Sequence, residues 1–163
     1  MAQIHMIEVF NRKDIPDVFG QDVRKNIGEM GISVVEEVFT SEIYRFQCSS
    51  GRDELRRIAE NILVDAVIQE YLLDEEMKAG ERGEFMVEVF YKSGVTDSVA
   101  DTVRTAVRDA GIRTKMEVST GRRYYLRGNL TGKDVETICR KILVNPLIQN
   151  YSVIEGKGNH PDA

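Results

Sequence analysis

The sequence predicts an α+β fold made of two tandem modules of one design, each ordered strand–helix–strand–strand–helix–strand. Three observations carry the prediction. A ten-residue stretch occurs twice, ILVDAVIQEY at 62–71 and ILVNPLIQNY at 142–151. The offset of 80 residues holds along both halves: Met6-Ile7-Glu8-Val9-Phe10 returns as Met86-Val87-Glu88-Val89-Phe90, Val23-Arg24 as Val103-Arg104, Gly31-Ile32 as Gly111-Ile112, and Tyr44 as Tyr124. Within each copy the apolar periodicity switches between the two-residue repeat of a strand and the helical repeat in the same order.

In the first copy, residues 4–10 are apolar on both faces and read as a central strand. Asp17 is placed to cap a helix that runs to Met30 with Val23, Ile27 and Met30 on one face, closed by Gly31. Residues 32–39 and 43–48 read as a hairpin turned at Ser41-Glu42. Ser49-Ser50-Gly51 then breaks the chain ahead of a helix with Leu55, Ile58, Ala59, Ile62 and Leu63 at helical spacing. Residues 67–74 close the module as a strand.

The second copy repeats the order. Residues 84–92 form a strand, and Asp97 caps a helix with Val99, Val103, Ala106, Val107 and Ala110 inward, closed by Gly111. Residues 112–120 and 122–127 read as a hairpin turned at Thr120-Gly121. Thr131 caps the next helix, Pro146 ends it, and 147–154 is the last strand. This is the ferredoxin-like, split βαβ layout. Its sheet face is apolar at Ile7, Val9 and Tyr71 and calls for a cover. A lone module of about 70 residues has a marginal core, so the two copies are expected to pack on each other through their sheets as an intrachain pseudo-dimer. The domain reading is therefore 1–76 for the first repeat, 77–83 for a linker, 84–155 for the second repeat and 156–163 for a flexible tail.

Composition narrows the function classes. The chain of 163 residues is 42% hydrophobic and 30% charged, as in a folded globular protein. It has no run of eighteen apolar residues and no basic-then-apolar leader, so a cytoplasmic location without membrane span is expected. The net charge of −5 argues against general nucleic-acid binding. The halves differ: residues 1–80 carry 9 Lys+Arg and 16 Asp+Glu, residues 81–163 carry 13 and 11, giving −7 and +2, which sum to −5. The copies have kept their apolar frame while their surfaces diverged.

Catalytic groups are hard to assemble. His5 and His160 have no Cys or His at ligand spacing, so no metal site is expected. Gly132-Lys133 lacks the glycine run of a phosphate loop. Cys48 and Cys139 stand at non-equivalent positions and read as reduced, partly buried thiols. The one basic constellation is Arg122, Arg123 and Arg127 near the second hairpin turn; the first copy has Glu42, Ile43 and Gln47 there. The pattern supports a binding or assembly module.

The recurring ends NILVDAVIQEYLLDEE at 61–76 and KILVNPLIQNYSVIE at 141–155, with the Thr120-Gly121-Arg122 turn and the Asp17-Val18-Phe19-Gly20 helix entry, resemble the PurS family, the small subunit of phosphoribosylformylglycinamidine synthase. The resemblance covers about 4–76 and 84–155. Asn145 fits the family pattern, while Asp65, Thr40-Ser41-Glu42 and the Pro-less entry at Asp17 depart from it. The resemblance implies a non-catalytic bridging subunit of purine synthesis, whose homodimer is here fused into one chain. Its implied partners are a PurL-type synthetase and a PurQ-type glutaminase, whose ammonia path it helps to align. It implies no cofactor on this chain, ATP and Mg being used by the synthetase. Self-association of the tandem is compatible with it; nucleic acid and membrane are not among the expected partners. The docking residues expected are Arg122, Arg123, Tyr124, Asn145, Gln149 and Tyr151, with Gln69 and Tyr71 in the first copy. A tandem ACT-type ligand-binding module has the same element order, but residues 11–16 lack the glycine of its first loop and residues 92–96 have only Gly94.

Overall fold

A computed structural model describes residues 2–77 and 83–156. Most of the expected linker, 78–82, and tail, 157–163, lie outside the described residues. The elements are β1 (Gln3–Asn11), α1 (Val18–Glu29), β2 (Val35–Cys48), α2 (Arg52–Ile58), β3 (Gln69–Leu73), β4 (Phe85–Tyr91), α3 (Ser98–Asp109), β5 (Met116–Gly128), α4 (Gly132–Ile138) and β6 (Gln149–Glu155). The strands form one antiparallel sheet in the order β3-β1-β2-β5-β4-β6. The two halves are βαββαβ-like, as expected, with one change: the two middle strands of each half run on as a single long strand, and the hairpins are absent.

The reason is visible at the residues where turns were expected. A tight hairpin needs positive φ, and among the described non-glycine residues only Asp74 has it. Instead the strand slips at Thr40. Thr40 and Ser41 are both buried, as are Ile43 and Tyr44, so the in-out alternation breaks without a reversal. The Thr40 N–H donates to Asp17 Oδ2 at 2.5 Å, and the Thr40 hydroxyl donates to the same carboxylate. Asp17 also accepts from the Gly20 N–H at 2.8 Å as the cap of α1. The second copy repeats this: Asp97 accepts from Ala100 N–H, Thr120 N–H and the Thr120 hydroxyl. One aspartate thus starts a helix and anchors the slip of the strand that follows it.

An opened hairpin sends its first arm elsewhere, and the chain divides accordingly. Unit 1 comprises Met1–Pro16, Ser41–Glu76 and Ser93–Gly121; unit 2 comprises Asp17–Thr40, Met77–Lys92 and Arg122–Ala163. The boundaries inside β2 and β5 fall at the two slip points. Each unit is a four-stranded, two-helix layer assembled from both copies. In unit 1 the order is β3-β1-β2-β5, using the later half of β2 and the earlier half of β5. Its core joins Ile7, Val9, Phe46, Leu55 and Ile58 of the first copy to Ala100, Val103, Val107, Ile112 and Val118 of the second. The apolar face at Ile7 and Val9 is thus covered by α2 and by the helix α3 of the other copy. Unit 2 is built the same way, with Val23, Ile27, Val35 and Val38 of the first copy packed among Val87, Val89, Leu126, Val135 and Ile138 of the second.

β1 pairs antiparallel with β2 and β3, and β4 with β6, with Ile7 opposite Tyr44 and Leu73 in unit 1 and Val89 opposite Tyr151 in unit 2. The exchange demands one close approach. Gly128, at φ +146°, abuts Val34 and Glu36 of the other copy, and a Cβ there would collide with the Val34 carbonyl. Each second helix ends in a π-turn closed by Val64 N–H to Ala59 C=O and by Val144 N–H to Cys139 C=O, both 3.0 Å.

Candidate docking surfaces

The duplicated stretch builds the same projection in each unit. After the π-turn, Val64 and Val144 are extended. Asp65 and Asn145 then hold an Asx-turn: Asp65 Oδ1 accepts from Val67 N–H, and Asn145 Oδ1 from Leu147 N–H, both 3.1 Å. The Asp65 C=O accepts from the N–H groups of Ile68 and Gln69, and Asn145 C=O from those of Ile148 and Gln149. The Gln69 side chain reaches back to accept from Asp65 N–H at 3.0 Å, and Gln149 does the same for Asn145 at 2.8 Å. The strand next door clamps the far side, through Arg12 N–H to Ile68 C=O and Lys92 N–H to Ile148 C=O, both 2.8 Å.

This network explains the sequence differences between the copies. The turn needs only an acceptor oxygen at its first position, so Asp65 and Asn145 serve equally. Among the described residues it uses the amides at 65, 67, 68 and 69 but not that of Ala66. Pro146 therefore fits where Ala66 stands. What the turn carries is apolar: Val67 is 81% exposed and Leu147 83%, with Ile68 and Ile148 partly exposed behind them. A fully bonded turn holding an aliphatic side chain in water at the same place in both units is a built feature. The sequence reading placed 67 and 147 at strand starts; the strands begin two residues later, at Gln69 and Gln149. The overlooked signal was Asx and Gln four residues apart around an aliphatic pair.

Gln69, Asn145 and Gln149 are thus the frame of the tips. Tyr71 and Tyr151 are half-buried behind them, donating to Glu60 at 2.9 Å and to Glu136 at 2.6 Å. Burial, then the Glu60 carboxylate, raises the Tyr71 phenol above its ordinary value; at Tyr151 the Glu136 hydrogen bond leads. Arg122 lies in unit 2 with its guanidinium 3.9 Å from the ring centroid of the partly exposed Phe19. Phe19 in turn packs at 6.3 Å on Tyr124, a buried residue whose phenol burial pushes up. Arg123 is buried and bound to Glu88 at 2.8 Å. Arg127 pairs with Glu37 of the other copy at 3.3 Å.

Among the described residues no cluster of metal-binding groups forms: no three His, Cys, Asp or Glu side chains could share a metal ion. Among them, too, no helix is long and apolar enough to cross a membrane. Cys48 and Cys139 are free and buried, and burial pushes the Cys139 thiol up to about 12, leaving it protonated and inert at neutral pH.

The model of the PurS family, phosphoribosylformylglycinamidine (FGAM) synthase, matches the chain twice, over residues 5–76 and 84–155. The chain belongs to the PurS family. Its two matches are the two sequence copies, so the PurS module is duplicated in tandem, and the chain is tied to FGAM synthase and purine biosynthesis. A search of curated proteins gives no match. The PurS matches follow the chain, whereas the compact units exchange a helix and half a strand between them. The aliphatic tips lie inside both PurS matches.

Proposed function

We propose that this PurS-family chain is a non-catalytic bridging subunit of FGAM synthase, joining a PurL-type synthetase to a PurQ-type glutaminase and supporting ammonia transfer between them in the cytoplasm. The observation that carries the reading is the pair of aliphatic tips, Val67-Ile68 and Leu147-Ile148, one held out by each unit. Desolvating an aliphatic side chain contributes about 1.5–3 kcal/mol. A turn already fixed by hydrogen bonds adds little ordering cost on binding. Two such contacts in one chain favour a bivalent adaptor.

On this reading Asp65, Gln69, Asn145 and Gln149 pre-organise the tips, Tyr71 and Tyr151 brace the strands behind them, and Arg122 on Phe19 adds a contact in unit 2. Buried Tyr124 supports that contact through Phe19, and Arg123 acts indirectly, fixing the strand by its bond to Glu88. ATP and Mg belong to the synthetase, and this chain holds no cofactor of its own.

The test is reconstitution of the chain with both subunits, ADP, Mg and glutamine. Complex formation and a gain in glutamine-dependent amidine synthesis are expected. Val67→Ser with Leu147→Ser should leave the melting temperature within a few degrees and weaken complex formation by about tenfold or more. Assembly indifferent to both tips would remove the support for the reading.

A further inference from the structure

Unit 1 contains a groove that no residue of the tips touches. It has a volume of about 320 Å³ and lies where the C-terminal turn of α3 meets the approach to β5. Its floor is Val107, Ile112 and Met116, and its rim carries Arg104, Arg108, Arg113 and Lys115. Arg104 is committed, pairing with Asp101 one turn earlier and donating to Val118 C=O. Arg108, Arg113 and Lys115 are exposed, and among the described residues none of them has an ion pair. Three uncompensated cations around an apolar floor, on a chain of net charge −5, make a local positive potential against an acidic background.

The equivalent positions in the first copy are Arg24, Gly28, Ser33 and Val35, in unit 2. Only Arg104 has a cationic counterpart. The three cations are therefore not a requirement of the fold, which unit 2 forms without them.

We propose that this groove seats an acidic segment of a partner protein, with carboxylates flanking an aliphatic side chain. The sign of the charge requires an anion. The carbonyl end of α3 opposes a compact dianion such as phosphate close to the floor. Separate carboxylates on an extended segment can each meet one rim cation, while an aliphatic side chain covers Val107 and Ile112. A nucleic-acid strand needs a continuous basic track, which a chain of net charge −5 does not offer. The proposal rests on the bridging reading for the partner's identity, a subunit of the synthase, and gives that bridge a direction: one unit carries the three cations and the other does not.

The experiment measures affinity of the full chain for the synthetase and the glutaminase separately, at low and high salt. Arg108→Gln/Arg113→Gln/Lys115→Gln is compared with Lys13→Gln/Lys133→Gln/Lys141→Gln, which removes three exposed charges elsewhere. The groove variant should bind one subunit about tenfold more weakly, with a flatter salt dependence, and the control should change less than about twofold. Equal effects of the two variants, or displacement of the subunit by millimolar inorganic pyrophosphate, would overturn the acidic-segment proposal and leave bridging intact. Failure of the unaltered chain to bind either subunit would overturn the bridging reading and the proposal together. Melting curves of both variants establish that folding is unchanged.

Discussion

Units 1 and 2 have the same layers, the same cap-to-strand anchor at Asp17 and Asp97, and the same aliphatic tip, yet they solve three local problems differently. Beneath the sheet, Glu8 of unit 1 is buried and receives the Ser41 hydroxyl at 2.5 Å, whereas Glu88 of unit 2 receives the Arg123 guanidinium. At the helix entry, unit 2 stacks Arg122 on Phe19, whereas unit 1 has Val99 and Glu42 at those positions, and Tyr44 donates to Glu42 at 3.0 Å. At the end of the exchanged helix, unit 1 carries Arg108, Arg113 and Lys115 around its groove, where unit 2 has Gly28, Ser33 and Val35. The shared features hold the fold or frame the tip. The differing ones change charge at fixed geometry, which is how a duplicated module becomes two-faced without refolding.

The largest break in the comparison is at the paired carboxylates, Glu8 and Glu88. Arg123→Met removes a buried guanidinium from the partly buried Glu88, and should cost about 3 kcal/mol by denaturant unfolding. The matching change in unit 1, Ser41→Ala, removes a neutral donor from Glu8 and should cost less, about 1–3 kcal/mol.

Val107→Ala tests the exchange itself. The side chain belongs to the second copy but packs in unit 1, so about 2 kcal/mol of lost packing should fall there. Hydrogen exchange should quicken in β1 and β3, which are about 100 and about 35 residues away in sequence, more than in β4 and β6.

Asn145→Ala removes the acceptor of the Leu147 turn and should cost about 1 kcal/mol. Asn145→Asp should be nearly silent, because Asp65 already does this work in the other unit.

The smallest effect is a pH dependence specific to unit 1. Glu54 accepts from Ser50 at 2.5 Å and from Thr114 of the other copy at 2.7 Å, and these bonds hold its carboxyl below the ordinary value. A depressed folded pKa contributes stability that is present above the unfolded value near 4.5 and lost as pH falls through the folded value. Thr114→Val should therefore melt slightly lower than the parent at neutral pH, and the gap should close in acid.

The duplication, the helices and their caps, and the outer strands were legible in the sequence because each rests on local chemistry: Asp17 and Asp97 before apolar helices, Gly31 and Gly111 after them, alternating strands between. The hairpins were not, because Ser41-Glu42 and Thr120-Gly121 look like turns locally, while the distant aspartates that anchor the slip come from preceding helices. The exchange followed the hairpins out of view, since nothing near residue 40 says which copy its strand will pair with. At the tips, Asn145 and Gln149 were legible as special, but their role as a frame was not. Read singly they look like contacts, and only the network around Leu147 shows which side chain they present.

The most direct test of the exchanged architecture is to make the two copies as separate chains, 2–77 and 83–156, and to follow circular dichroism and mass in solution for each alone and for the mixture. Neither copy should fold as a monomer, because each lacks a helix and half a strand of the core to which it contributes most, and mixing should restore a cooperative one-to-one complex. A cooperatively folded monomer from either copy alone would contradict the account.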